Sequence, residues 1–269
     1  MMNVTLPIFI TFILFSIPVS LGGIFLIKKS IKNESLKMHH DVIDPVLAVL
    51  GTLFAILIGF MLANSMQRFE SARANVEHEA GAIADVYRLS AALPVEVRDQ
   101  ARKHCLRYTQ SVIKDEWPAM QSGNFSDSSW DAINEIWADV LPYQPTTQGQ
   151  SNIHQLIVSA ITQAGECRRT RFAQLTYRLP NTLWFIVIFG GVSTVVLTFF
   201  FSVTSLRLQI AMTSIITMII GLNIYMLAGY DAPFSGDIAL TSAPFKASEK
   251  VMLRKWRLSS ERTDKDTTE

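Results

Sequence analysis

The side chains able to do chemistry are few, and their spacing argues against catalysis. Glu77, His78 and Glu79 are consecutive, so on a helix they point in different directions and cannot easily share one ion. A solvated helix face is the expectation there. His39, His40 and Asp41 form a short run, and adjacent histidines are a weak ligand signal. His104 and Cys105 are neighbours with no third partner in sequence. Two cysteines, Cys105 and Cys167, are too few for a disulfide framework or a four-cysteine zinc site. No nucleophile elbow, phosphate-binding loop, dinucleotide fingerprint or zincin motif is present. The expectation is a protein that is not an enzyme, with no metal and no cofactor.

Packing chemistry is more informative. Gly51, Ala55, Gly59 and Ala63 recur every four residues, a small-residue ridge of the kind that lets helix backbones approach closely in lipid. One position along, Thr52, Ile56, Phe60 and Asn64 make a second row that ends near Arg68. If copies of this helix pack through the ridge around an axis, the second row can face that axis. An apolar constriction at Ile56 and Phe60 would then gate ions by dewetting. The alternative is that Ile56 and Phe60 face lipid or a neighbouring span.

The elements carrying these rows must cross a membrane. The chain has 269 residues, 49% hydrophobic and 17% charged, against roughly 25% charged in an average soluble domain. Its 24 Lys and Arg nearly balance 23 Asp and Glu, which excludes a strongly basic nucleic-acid binder. Four windows hold no Asp, Glu, Lys or Arg: 1–27, 45–67, 179–206 and 208–230. Each is long enough for a spanning helix, which needs about 20 apolar residues. The first lacks a basic start and a cleavage site, so it reads as a retained anchor with Pro7 and Pro18 as tolerated kinks. Only Arg207 separates the last two windows, which therefore form a tight helical hairpin.

Residues 68–178 hold 12 basic and 13 acidic side chains, so this one section carries more than half of all the charges. It lacks strand patterning and reads as helices. With no proline from 67 to 93, the second span is expected to continue as a helix into this section. A further helix starts at Pro94 and runs to about Trp117, ended by Pro118 and Gly123. A shorter one covers 127–140, capped by Ser126 or Asp127, and the last covers 151–178. The expected organisation is therefore an all-α integral membrane protein with four transmembrane helices. Residues 1–66 carry helices one and two (about 4–27 and 45–67), 67–178 a helical domain, 179–230 the hairpin and 231–269 a tail. Lys28, Lys29, Lys32, Lys37 and Arg207 lie on one side. The other side has more basic residues, Arg68, Arg73, Arg168, Arg169, Arg171 and Arg178 with five more beyond the last span. The positive-inside bias makes the helical domain and both termini cytoplasmic. In the tail, Phe245, Met252 and Trp256 share a helix face and Lys246, Lys250, Arg254 and Arg257 another. That pattern suits either an interfacial helix on anionic lipid or packing on the helical domain.

A family resemblance rests on three short motifs. Leu57-Ile58-Gly59-Phe60, followed at a fixed interval by Arg68-Phe69 and then Arg73, resembles the second transmembrane segment of bestrophin channels. Asp231-Ala232-Pro233-Phe234-Ser235-Gly236-Asp237 is similar to the bestrophin Pro-Phe-Gly-acidic segment with one serine inserted. Ala91-Ala92-Leu93-Pro94 adds a mark of a bacterial bestrophin-like family, which the chain resembles more closely still. The resemblance implies a four-span homo-oligomer, pentameric, in a bacterial inner membrane, passing inorganic ions. Its pore neck would be lined by Thr52, Ile56 and Phe60, with Asn64, Arg68 and Arg73 at the mouth. Thr52 departs from the family pattern, being polar where an apolar residue is usual, and the acidic residue after the Arg-aromatic pair is shifted to Glu70. Only Asp231 and Asp237 stand where animal relatives bind calcium, and a hard cation wants six or more oxygens. The implied ion sign is open. A non-conducting, membrane-anchored scaffold or sensor using the same ridge for dimer contacts is the competing reading.

Overall fold

In the structure, a computed structural model, residues 40–200 and 205–266 are described, together with Ile10, Pro18, Gly22, Gly23 and Phe25. Side chains are described from Asp44 to Trp256 within those ranges. The first expected span, 4–27, lies almost wholly outside the described residues, as do the side chains of His39, His40 and Asp41. Among the described residues every regular element is a helix.

Helix α1 runs His40–Leu89, 50 residues without a break, a length of about 75 Å at 1.5 Å per residue. After Pro45, near its start, nothing in the sequence interrupts it. The expected continuation of the second span into the charged section is thus one helix. It ends in a single tighter turn, Ser90–Ala92, and Leu93 is extended because the residue before a proline avoids helical backbone angles.

Helix α2 covers Val95–Ser111, a widened turn Val112–Glu116, and α3 Trp117–Gln121. The helical path therefore passes through Pro118 instead of ending there. Proline lacks the N–H for the carbonyl four residues back and its ring crowds that carbonyl; the wide turn before it gives the room. Gly123, with φ of 77°, closes α3 in the left-handed region open to glycine. Helix α4 spans Trp130–Val140, so neither Ser126 nor Asp127 caps it. The residue at its start is Ser129, whose hydroxyl is drawn away to Glu116 at 2.5 Å. Helix α5, Gln148–Thr176, begins at a capping box in which Thr147 and Gln150 each bond the other's backbone N–H. Helices α6 (Asn181–Thr198), α7 (Leu206–Asp231) and α8 (Ala243–Asp266) follow.

The chain divides into two compact units. One comprises Met1–Phe69, Arg178–Ala232 and Gly236–Ile238; the other Glu70–Tyr177, Pro233–Ser235 and Ala239–Glu269. In the first, Phe54, Ile58, Met61, Val187 and Leu227 form the core. Three described helices, α1, α6 and α7, are long and apolar enough to cross a membrane. Between α6 and α7 the threonine hydroxyls of Thr198 and Thr213 meet at 3.2 Å, an interhelical hydrogen bond of the sort that holds helices together in lipid.

The second unit has a conventional apolar core. Val76, Ile83 and Tyr87 of α1, Tyr108 of α2, Ile136 of α4 and Ile157 and Ile161 of α5 are all buried. Phe245 and Met252 of α8 are buried in the same core, and the Tyr87 hydroxyl donates to the Met252 carbonyl at 3.0 Å. Of the two expectations for the tail, packing on the helical domain is therefore what these side chains do. Phe245 lies 6.2 Å from Trp117 between ring centroids. Truncating it leaves a cavity, so Phe245→Ala is expected to destabilise this unit by about 3–5 kcal/mol, read as a lower midpoint in a thermal melt of the purified protein.

Candidate functional site

Helix α1 offers two opposite faces in its first half. Phe54, Ile58, Met61, Ser65 and Phe69 are buried, following the three- and four-residue steps of one helix stripe. Phe54 packs on Gly190 and Gly191 of α6. A Cβ added at Gly190 would lie 2.6 Å from the Phe54 ring, so only glycine permits this approach. The other face is open. Ile56 is 51% and Phe60 71% exposed, and Thr52 and Asn64 are exposed beside them. Thr52 turns its hydroxyl back onto its own helix, donating to the Ala48 carbonyl at 2.7 Å, so the upper end of the row is less polar than its residue type implies. Ala55, Gly59 and Ala63 are exposed and Gly51 half-exposed. A Cβ at Gly51 or Gly59 would meet nothing within 4 Å. Gly51, Ala55, Ile216, Ile219 and Asn223 are among the residues lining a groove of about 220 Å³ between α1, α6 and α7. Among the described residues the expected neck row is therefore open, and the ridge is open too except where Gly51 and Ala55 border this groove.

Arg68, expected at the pore mouth, is half-buried. Its guanidinium is held within the first unit: Nη2 donates to Ser65 Oγ at 3.1 Å and to Asp231 Oδ1 at 3.3 Å. Asp231 is buried, and the same Oδ1 also accepts the Leu179 N–H at 2.9 Å. Arg178 donates to the Asp231 carbonyl at 2.8 Å. Arg73, in the second unit, stands exposed between Glu70 and Glu77, 3.8 and 3.6 Å away. Of the motif that follows, Phe234 is buried edge-on to Trp117 at 5.9 Å, and the Pro233 carbonyl accepts Leu240 N–H at 2.8 Å. Gly236 has φ of 91°, a conformation that disfavours any other residue. Asp237 accepts the Tyr225 hydroxyl at 3.2 Å. Among the described residues no group of three His, Cys, Asp or Glu is placed to hold a metal ion.

The second unit contains a buried ionic network that was not anticipated. Glu79, expected on a solvated face, is fully buried. Its oxygens accept Arg171 Nε at 2.8 Å and Arg171 Nη2 at 2.9 Å, and Oε1 also accepts the Tyr108 hydroxyl at 2.6 Å. Arg171 Nη2 donates as well to Glu116 Oε2 at 2.7 Å. Glu116 Oε1 accepts Arg168 Nη2 at 2.7 Å, and Arg168 Nε donates to Ser129 Oγ at 3.0 Å. The Arg168 guanidinium lies 4.6 Å above the Phe172 ring, a cation–π contact. Among the buried charges two guanidinium groups thus face two carboxylates, and the exposed Asp127 lies 3.6 Å from Arg168 at the edge of the network. Burial pushes the Glu116 carboxyl upward, but the charge of Arg171, the Ser129 hydroxyl and Arg168 together hold it below the ordinary glutamate value of 4.5. Burial, then the Glu79 charge, drives the Tyr108 phenol well above 10.0. His104, which lacked a partner in sequence, sits between Asp139 at 2.7 Å and Glu135 at 3.5 Å.

The network was legible by register. Glu79 falls on the stripe Ala72, Val76, Ile83; Glu116 extends Cys105, Tyr108, Val112; Arg168 and Arg171 lie between Ala164 and Leu175. Charges on an apolar stripe are buried charges, and buried charges are paired.

The sequence profile of the bestrophin-like domain matches residues 14–245. Among solved structures, two variants of a bacterial Bestrophin homolog from Klebsiella pneumoniae superpose with TM-scores of 0.73 and 0.70. Both are 14% identical and cover 90% of this chain, and the match spans 98% and 99% of theirs. A further crystal structure, described only as a membrane protein, matches with a TM-score of 0.69 at 14% identity, over 90% of this chain and 97% of its own. Among curated protein sequences none matches significantly.

Removing Arg171 would leave the buried Glu79 without a cation and Glu116 with Arg168 alone. Arg171→Met is expected to destabilise the second unit by about 3–5 kcal/mol, seen as a fall in its thermal midpoint. The depressed Glu116 carboxyl stabilises the fold fully above the ordinary value of 4.5 and loses that contribution as pH drops through its lower folded value. Melts recorded at falling pH should therefore show an acid-side loss of stability that Glu116→Gln makes shallower.

Proposed function

The chain belongs to the bestrophin-like family, and from that premise we propose that it is a homo-oligomeric ion channel, a pentamer, of a bacterial inner membrane. The single observation that supports this most is the exposed row Thr52, Ile56, Phe60 and Asn64, opposite a face of α1 that is packed on its own bundle. Lipid alone would cover Ile56 and Phe60, but a row that begins at Thr52 and ends at Asn64, beside a ridge of small residues, suits several copies packed around an axis better than a lipid-facing surface. Side by side, the ridge Gly51, Ala55, Gly59 and Ala63 lets neighbouring helices come close. Ile56 and Phe60 then narrow a water-filled path until it dewets. Inorganic ions are the cargo, no reaction is catalysed, and the lipid bilayer is the remaining partner. Both termini and the helical domain face the cytoplasm on this reading.

The charges near the row bear on which ions enter. Arg68 has its charge answered by Asp231, and Arg73 stands between two glutamates, so neither presents an isolated positive charge. Near-neutrality leaves the apolar ring, not a field, as the main barrier.

Purified protein in liposomes should pass monovalent ions, tested with rubidium and chloride tracers separately. Phe60→Ala, which removes the widest apolar group of the row, is expected to raise flux about tenfold by keeping the constriction wet. Native mass in detergent should correspond to five copies. No flux from either protein, or a mass of two copies, would overturn the channel in favour of a scaffold or sensor.

A further inference from the structure

The first half of α1 packs on its own unit along the stripe Phe54, Ile58, Met61, Ser65 and Phe69, with a specific contact near each end. Near one end, the Phe54 ring fills the space over Gly190 and Gly191. Near the other, two consecutive residues of α1 meet two consecutive residues of α7. Arg68 pairs with Asp231, and Phe69 meets Tyr230 edge-on with ring centroids 5.3 Å apart. Asp231 is the hub of this second contact. One oxygen of its carboxylate accepts from both Arg68 and the Leu179 backbone, while its main-chain carbonyl accepts from Arg178. The end of α7, the approach to α6 and the side of α1 are thereby joined through a single residue. Ser65, one turn back on α1, accepts from the same Arg68 nitrogen and fixes its direction.

Fourteen residues, about 21 Å of helix, separate Phe54 from Arg68, and Phe60 stands exposed between them. A helix held along this stripe cannot roll about its axis, so Phe60 keeps one heading. Released at Arg68, that end of the helix can shift against the apolar stripe Phe54, Ile58 and Met61 that still holds the rest. A buried carboxylate that loses its ionic partner is strongly unfavourable, which makes the contact a discrete element that is either made or broken.

We infer that Asp231, acting through Arg68, is the positioning residue that sets the rotation of α1 and so the heading of Phe60. The role rests on the channel reading for its functional effect, and it uses no metal.

The test uses full-length protein in liposomes. Asp231→Asn keeps an acceptor for the Leu179 N–H and removes the charge; Arg68→Gln removes the other partner. Each should change ion flux about threefold in the same direction, and the double variant should do no more than either single one, as coupled partners do. Arg68→Lys should restore the native rate. In a Phe60→Ala background, where the constriction is gone, Asp231→Asn should have no further effect; a persisting effect there would mean that Asp231 acts elsewhere and overturns the inference. A second reading is independent of conduction. Spin labels at Asn64→Cys and Leu222→Cys, in labelled protein diluted with unlabelled, report the distance from α1 to α7, which should shift or broaden in Asp231→Asn and Arg68→Gln. Silent liposomes with a shifted distance would discard the channel and keep the positioning role. Native flux with an unchanged distance would discard the positioning role and keep the channel.

Discussion

Arg171 is the side chain on which the helical unit depends. Its guanidinium has no exposure to solvent and meets Glu79 from α1 and Glu116 from the turn before α3. A charge at that depth is tolerable only when fully paired and hydrogen-bonded. Three separated segments must therefore reach their final register together. The widened turn Val112–Glu116 belongs to the same requirement, since it carries Glu116 inward while leaving room for Pro118. Ser129 is recruited too, which is why α4 begins without a side-chain cap. The uncapped start of α4 goes with this buried cluster, and the wide turn serves both the cluster and Pro118.

The first unit answers a different constraint. Lipid offers no hydrophobic incentive for apolar helices to leave it, so association rests on close fit and on hydrogen bonds that lipid cannot supply. Phe54 on a glycine pair, threonines meeting across α6 and α7, and the hub at Asp231 are three such devices. The first and the last fix the packed face of α1. Among the described residues the open face carries no such device, and on the proposed reading its partner is another copy of the same helix.

Much of this was written in the sequence in a form that patterning can read. The uncharged windows at 45–67, 179–206 and 208–230 contain most of the first half of α1, all of α6 and most of α7, because length and apolarity alone decide whether a helix suits a bilayer. The rows on α1 were readable because four-residue spacing survives any tertiary arrangement. The pairing of Arg68 was not, since its partner lies 163 residues away and nothing local announces it. Glu79 was misread for another reason: it was judged by residue type, as a surface charge, when its register placed it among alanines and isoleucines. The early end expected for the helix at Pro118 failed because a proline's demand for space can be met by loosening one turn instead of stopping the helix.

The absence of a methyl group at Gly190 has a reach beyond its own contact. Phe54 sits where it does because nothing projects from that backbone position, and the setting of α1 follows from where Phe54 sits. Adding one carbon there would shift the helix by a fraction of its own radius without touching Thr52, Ile56 or Phe60. A lineage could thus alter the bore of the proposed conduit, and with it the throughput of the membrane, by substitutions on a neighbouring helix. Comparison of the bore residues alone would miss the change.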